Sequence, residues 1–149
     1  MRLRKFGYYE TFPRADITYP ADKPFTGKPI QFMGTALHDA YYKEYASEGH
    51  LAGVAPAGDA WLNAFSSGLA ETNPYMPEAG KFNLWAIDSY HPSAWGAYLN
   101  ACVIFEKITG IDARTLTTER ASSDLGVSRA TATALQKLAH DTVVANVRS

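Results

Sequence analysis

The 149-residue chain has a single cysteine, Cys102, which excludes a disulfide within the chain and any multi-cysteine metal site. No basic residue stands nearby to lower its thiol pKa, so the expected role of Cys102 is that of a small buried hydrophobe in a helix. Charge is almost balanced, with Lys+Arg 14 against Asp+Glu 15 and a net charge of -1. Without a long run of either sign there is no basic footprint for nucleic acid or acidic membranes, and no nucleic-acid partner is expected. No apolar run approaches the ~20 residues of a membrane span. Met1 to Lys5 is basic, but Phe6-Gly7-Tyr8-Tyr9-Glu10 follows in place of an apolar h-region, so no signal peptide is read there, and the compartment stays open. Metal-ligand spacing is absent too: His38 and His50 have no partner at i, i+4 and no cysteine cluster, and neither a metal nor a cofactor is expected.

What is present is enough for one domain, since 46% of the residues are hydrophobic and chains of this size bury ~70% of their unfolded surface. Leu3 to Phe12 is an aromatic, strand-like run ended by Pro13. Residues 13–34 carry four prolines and two glycines, a density that forbids long regular elements. Thr35 is placed to cap a helix with Leu37, Tyr41 and Tyr45 on one face and Gly49 as its stop. Leu51 to Ala55 reads as a short strand, followed by a helix opening at Gly58-Asp59 with Asp59 at its positive end. Leu84-Trp85-Ala86-Ile87 reads as another apolar strand. Ser93 then caps a helix from Ala94 to Thr109, which Gly110 ends. In the tail, Leu135, Leu138, Thr142 and Val143 form the buried stripe of a last helix. Strand, turn and helix in this rhythm predict an α/β layer fold.

Between the last apolar strand and the Ser93 helix stands Asp88-Ser89-Tyr90-His91. The ends of a four-residue turn come within ~7 Å, so Asp88 can accept a hydrogen bond from His91 Nδ1 and leave Nε2 for a substrate hydroxyl or water. That is the orienting and general-base half of a nucleophilic triad. The same pair also describes a hydrogen bond that only fixes a turn. Two further patterns have plainer readings. The tyrosines and tryptophans can be read as a carbohydrate-stacking platform, or more simply as core residues with polar tips at the surface. Residues 118–140, centred on Asp124-Leu125-Gly126-Val127-Ser128-Arg129, resemble the turn and second helix of a helix-turn-helix. Thr118 to Ser123 is too polar for a first helix, and Arg129 and Lys137 are few cations for phosphate contacts.

An apolar run, then Asp-x-x-His-Pro-Ser, then a helix bearing Gly96-Ala97-Tyr98-Leu99-Asn100-Ala101, resembles the last catalytic block of the SGNH (GDSL-type) hydrolases, a family of serine esterases, lipases and carbohydrate deacetylases. Glu10-Thr11-Phe12 with Asp16 and Thr18-Tyr19-Pro20, Val54 to Trp61, and the tail from Glu119 to Leu138 are similar to one branch of that family. Relatives in that branch often have Trp at Phe12 and Val at Ala57, changes that conserve packing. The resemblance implies a three-layer α/β/α, flavodoxin-like domain in which Asp88 orients His91 and His91 is the catalytic base. It also accounts for the Leu-Gly-x-Ser element of the tail, which recurs in that branch.

The family's Gly-Asp-Ser or Gly-Asn-Ser nucleophile block and the glycine and asparagine of its oxyanion hole have no counterpart here. Gly58-Asp59-Ala60 has the wrong third residue, and Ser66-Ser67-Gly68 follows no strand. Residues 1–149 therefore read as the C-terminal portion of one such domain, incomplete at the N-terminus, with the Asp/His block at 84–110 and a helical tail at 117–149. The implied function is ester hydrolysis on a small-molecule ester or acylated carbohydrate, with an N-terminal segment of the same domain as the missing partner. The alternative is a non-catalytic binding module on the same scaffold, and the third reading is DNA binding by residues 118–140.

Overall fold

The computed structural model describes residues 7–116 and 120–147. Two short parallel strands, β1 (Tyr8–Tyr9) and β2 (Val54–Ala55), pair with Tyr8 opposite Val54 and Tyr9 opposite Ala55. Around them lie α1 (Ile30–Ser47), α2 (Ala57–Ser66), α3 (Ala94–Thr109), α4 (Arg120–Asp124) and α5 (Arg129–Val147). The described chain is thus mixed α/β and mostly helical. α3 packs most extensively on α5, α2 contacts α1, α3 and α5, and both α1 and α3 reach β2.

The helix ends follow the expected chemistry where a side chain or a left-handed residue sets them. Ser93 caps α3 by accepting from Gly96 N–H at 3.3 Å, and Gly110 ends it with φ +70°, donating to the Glu106 carbonyl. Ser128 Oγ accepts from Thr131 N–H at 3.2 Å at the start of α5. α1 departs from expectation. It starts at Ile30 behind Pro29, not at Thr35, and Pro29 offers no side-chain cap. The reason is burial: Ile30, Met33 and Gly34 face the core one turn ahead of Thr35, so the apolar face begins earlier than its tyrosines suggest. The loop between Pro13 and Pro29 is correspondingly shorter and holds a 3-10 turn at Ala15–Ile17.

The strands are shorter than their apolar runs. Within the described part of the Leu3 to Phe12 run the strand is Tyr8–Tyr9, and Leu3 to Phe6 lie outside the described residues. Leu84 to Ile87 is not a sheet strand. Trp85 makes a single antiparallel bridge to Pro92, because the chain turns back at Ser89 (φ +58°) and pairs with its own return. Ile87, the last residue of that apolar run, is fully exposed.

Four aromatic rings make the centre of the core. Phe12 stacks on Trp61 at 4.1 Å and 11°, Trp61 meets Trp85 edge-on at 5.3 Å, and Trp85 stacks on Phe65 at 5.4 Å and 21°. Such pairs are worth about 0.5–1.5 kcal/mol each beyond the area they bury. Both indoles are buried with their N–H groups satisfied, Trp61 on Asn100 Oδ1 at 2.8 Å and Trp85 on the Pro13 carbonyl at 2.9 Å. Tyr98, Leu99 and Val103 of α3 are buried, as is Cys102, the small buried hydrophobe its surroundings predict, whereas Ile108 is exposed at the helix end.

Candidate active site

Asp88 and His91 sit at the tip of a tight loop whose legs are pinned by backbone hydrogen bonds. Ser93 N–H donates to Leu84 O at 2.8 Å, Ala86 N–H to His91 O at 2.7 Å, and Ser89 N–H to Ala86 O at 2.9 Å. Within the tip, Asp88 Oδ1 accepts from the backbone N–H groups of Tyr90 (3.0 Å) and His91 (2.9 Å). That leaves Oδ2 for His91 Nδ1, 2.6 Å away. One carboxylate therefore fixes both the turn and the ring. The three hydrogen bonds, His91 Nδ1 first, hold the Asp88 carboxyl down at about 2 from its ordinary 3.8, so it is an anion from mildly acid pH upward.

The segment after β1 braces this tip from outside. Asp16 N–H donates to Ser89 O at 3.1 Å, and the Pro13 carbonyl takes the Trp85 indole at the root. Arg14 lies 3.8 Å over the Tyr90 ring while its guanidinium is held by both Asp16 oxygens, and Tyr90 in turn packs on the His91 ring at 4.3 Å. From the other side α3 closes on the loop at Gly96. A Cβ there would lie 2.2 Å from Leu84 O and 2.7 Å from Trp61 Cζ2, so only glycine permits this approach. The apolar segment at 84–87, the Asp-x-x-His spacing and the helix glycine thus converge on one rigid support.

A carboxylate on Nδ1 sets the imidazole for base work at Nε2. The Ser66, Ser67 and Ser93 hydroxyls donate to the backbone carbonyls of Asn63, Ala64 and Asn83, so none of the three is engaged with His91. The dyad is open to solvent, its side chains 65% and 47% exposed for His91 and Asp88, and Ile87 and Tyr90 beside it are exposed as well.

Spacing along the chain carries no metal signature, yet folding gathers two groups of possible ligands. Glu106, Asp112 and His140 meet where α3, the turn after it and α5 join, and Glu10, His38 and Asp59 meet between β1, α1 and α2. In the first group every carboxylate oxygen is spoken for. Glu106 accepts Ala113 N–H at 2.8 Å on one oxygen and faces His140 Nδ1 at 2.9 Å on the other, while Arg114 grips Asp112. The second group is different and is taken up below.

The helix-turn-helix pattern also has a plain structural home. Thr118 and Glu119 lie outside the described residues; α4 is five residues long, Gly126 turns the chain at φ +70°, and Ser128 caps α5. α5 buries Leu135, Ala139 and Val143, and its Lys137 is paired with Asp141.

No family model, curated protein or solved structure matches the chain.

Proposed function

We propose that this chain carries the orienting and general-base half of a serine ester hydrolase site, on the C-terminal portion of a three-layer SGNH-type domain. The observation that carries the reading is the 2.6 Å contact between Asp88 Oδ2 and His91 Nδ1 in a loop pinned on three sides. A turn needs no more than the Asp88 Oδ1 bonds to two backbone N–H groups. The second oxygen on an exposed imidazole adds little to stability, since surface pairs are worth ~0–1 kcal/mol, and its use is to hold one tautomer. In the proposed reaction His91 Nε2 takes the proton of a serine hydroxyl as that oxygen attacks the ester carbonyl. The imidazolium, steadied by Asp88, then returns the proton to the leaving alcohol as its C–O bond breaks, and a water deprotonated by the same Nε2 releases the acyl group from the serine as the acid. The serine and the oxyanion donors come from a segment outside these 149 residues, which would cover the open face at Ile87, Tyr90 and His91. Two features support the layered fold: the parallel β1–β2 pair, and helices α1 and α3 both reaching β2.

The test is hydrolysis of p-nitrophenyl acetate. By itself the chain is expected to hydrolyse it no faster than its His91→Ala variant, because it lacks both the covalent step and oxyanion donors worth roughly 3 kcal/mol each. Joined to a segment bearing a Gly-Asp-Ser or Gly-Asn-Ser block, it is expected to gain turnover that both His91→Ala and Asp88→Ala abolish. A folded joined protein with no turnover would overturn the esterase reading and leave the binding module.

A further inference from the structure

We propose that Glu10, His38 and Asp59 form a binding site for one divalent cation of the zinc class. The donors come from three elements: Glu10 directly after β1, His38 on α1 and Asp59 in the first turn of α2. One ligand atom from each lies within 4.8 Å of the others. Acidic clusters at a surface are commonplace, but here the Glu10 side chain is completely buried. Its Oε2 accepts Asp59 N–H at 3.0 Å, and its Oε1 is buried with no hydrogen-bond partner. An unsatisfied buried carboxylate oxygen is costly, and it points to an occupant.

The surrounding geometry fits a metal with three protein ligands. Ligand atoms ~2.1 Å from a tetrahedral zinc stand about 3.4 Å apart, and Glu10 Oε1 is 3.7 Å from His38 Nδ1. His38 Nδ1 is 2.9 Å from Asp59 Oδ1, a hydrogen bond that would open by about half an ångström as a cation replaced the proton between them. The ligands are held from behind. Asn146 Nδ2 donates to Asp59 Oδ2 at 3.2 Å, the Tyr42 hydroxyl donates to Asn146, and the Tyr42 ring stacks on His38 at 4.2 Å. His38 is 38% exposed, which gives a cation a way in and leaves room for a water as fourth ligand. One imidazole with two carboxylates favours zinc-class ions over calcium or magnesium, which prefer all-oxygen shells. Charge argues the same way: a fully buried carboxylate stands beside a second one, and a divalent cation offsets both.

Calorimetric titration of the chelator-treated full chain with zinc tests this, with circular dichroism as the check on folding and melting. One zinc per chain is expected, with a melting temperature that rises with zinc concentration. Glu10→Gln and His38→Gln should each weaken binding by more than the roughly 10–100-fold of an outer-sphere change. His140→Gln, in the satisfied cluster, should leave it intact. His38 is partly exposed, so His38→Gln serves as the folded variant should Glu10→Gln not fold. Absence of zinc binding, binding undiminished in folded His38→Gln, or binding lost in His140→Gln would each overturn the site.

Discussion

Replacing Gly96 with alanine tests how tightly α3 is docked on the loop that carries Asp88 and His91. The added Cβ would stand 2.2 Å from Leu84 O and 2.7 Å from Trp61 Cζ2, against the 3.4 Å or more of an ordinary contact. The nearer atom is backbone, and its residue accepts the Ser93 N–H bond at the root of the loop. It therefore cannot swing aside as a flexible side chain would. The helix and the loop must separate by about an ångström, and overpacking of that kind costs about 1–3 kcal/mol. Alanine's better helix propensity returns up to ~1 kcal/mol, so a net loss of about 1–2 kcal/mol is expected. At ~2–4 °C per kcal/mol for a chain of this size, the melting temperature should fall by roughly 2–8 °C. Gly49→Ala is the control: nothing lies within 4 Å of its Cβ position and its φ is not in the left-handed region, so stability should stay within ~0.5 kcal/mol. Thermal unfolding followed by circular dichroism reads both. A Gly96→Ala melting temperature within a degree of the parent would refute the claim that this contact fixes the loop.

Three other perturbations have defined outcomes. The Asp88 carboxyl is depressed to about 2 from 3.8, so its contribution to stability is full above the unfolded value and is lost as pH falls from about 4 to 2; Asp88→Asn should flatten that part of an acid-unfolding profile. Nitrogen NMR shifts of the neutral His91 ring should place its proton on Nδ1, and a mixed tautomer in Asp88→Ala would confirm that the carboxylate sets it. Glu106→Ala strips the buried acceptor from Ala113 N–H and should cost about 1–3 kcal/mol in urea unfolding, whereas Glu106→Gln, which keeps an acceptor, should cost less.

The parts of the fold legible in the sequence are those decided by short-range chemistry. Ser93 and Gly110 bracket α3 because a hydroxyl cap and a left-handed glycine act within a few residues. The Asp88–His91 contact follows from a three-residue spacing across a turn. Features decided at long range were hidden. α1 begins at Ile30 because the core receives Ile30 and Met33, which no local signal at Thr35 reveals. The apolar segment at 84–87 looks like a strand until Ser89 adopts a positive φ, a conformation not written into a serine, and folds the chain back. The Glu10 cluster was invisible for a further reason. Its ligands have no common spacing, and the mark of the site is a buried oxygen with no donor, a property of the folded state alone.

The seven residues from Glu10 to Asp16 join the two candidate sites. At one end Glu10 turns its carboxylate to the amino end of α2, where Asp59 N–H meets it; at the other, Pro13, Arg14 and Asp16 hold the root, flank and backbone of the dyad loop. Phe12, between them, stacks on Trp61, which makes a T-shaped pair with Trp85 and whose Cζ2 limits Gly96. Close-packed interiors leave little room for one of these rings to shift without its neighbour. The placement of α2 against this segment and the placement of the dyad loop therefore rest on one packed core, through Trp61 and Trp85.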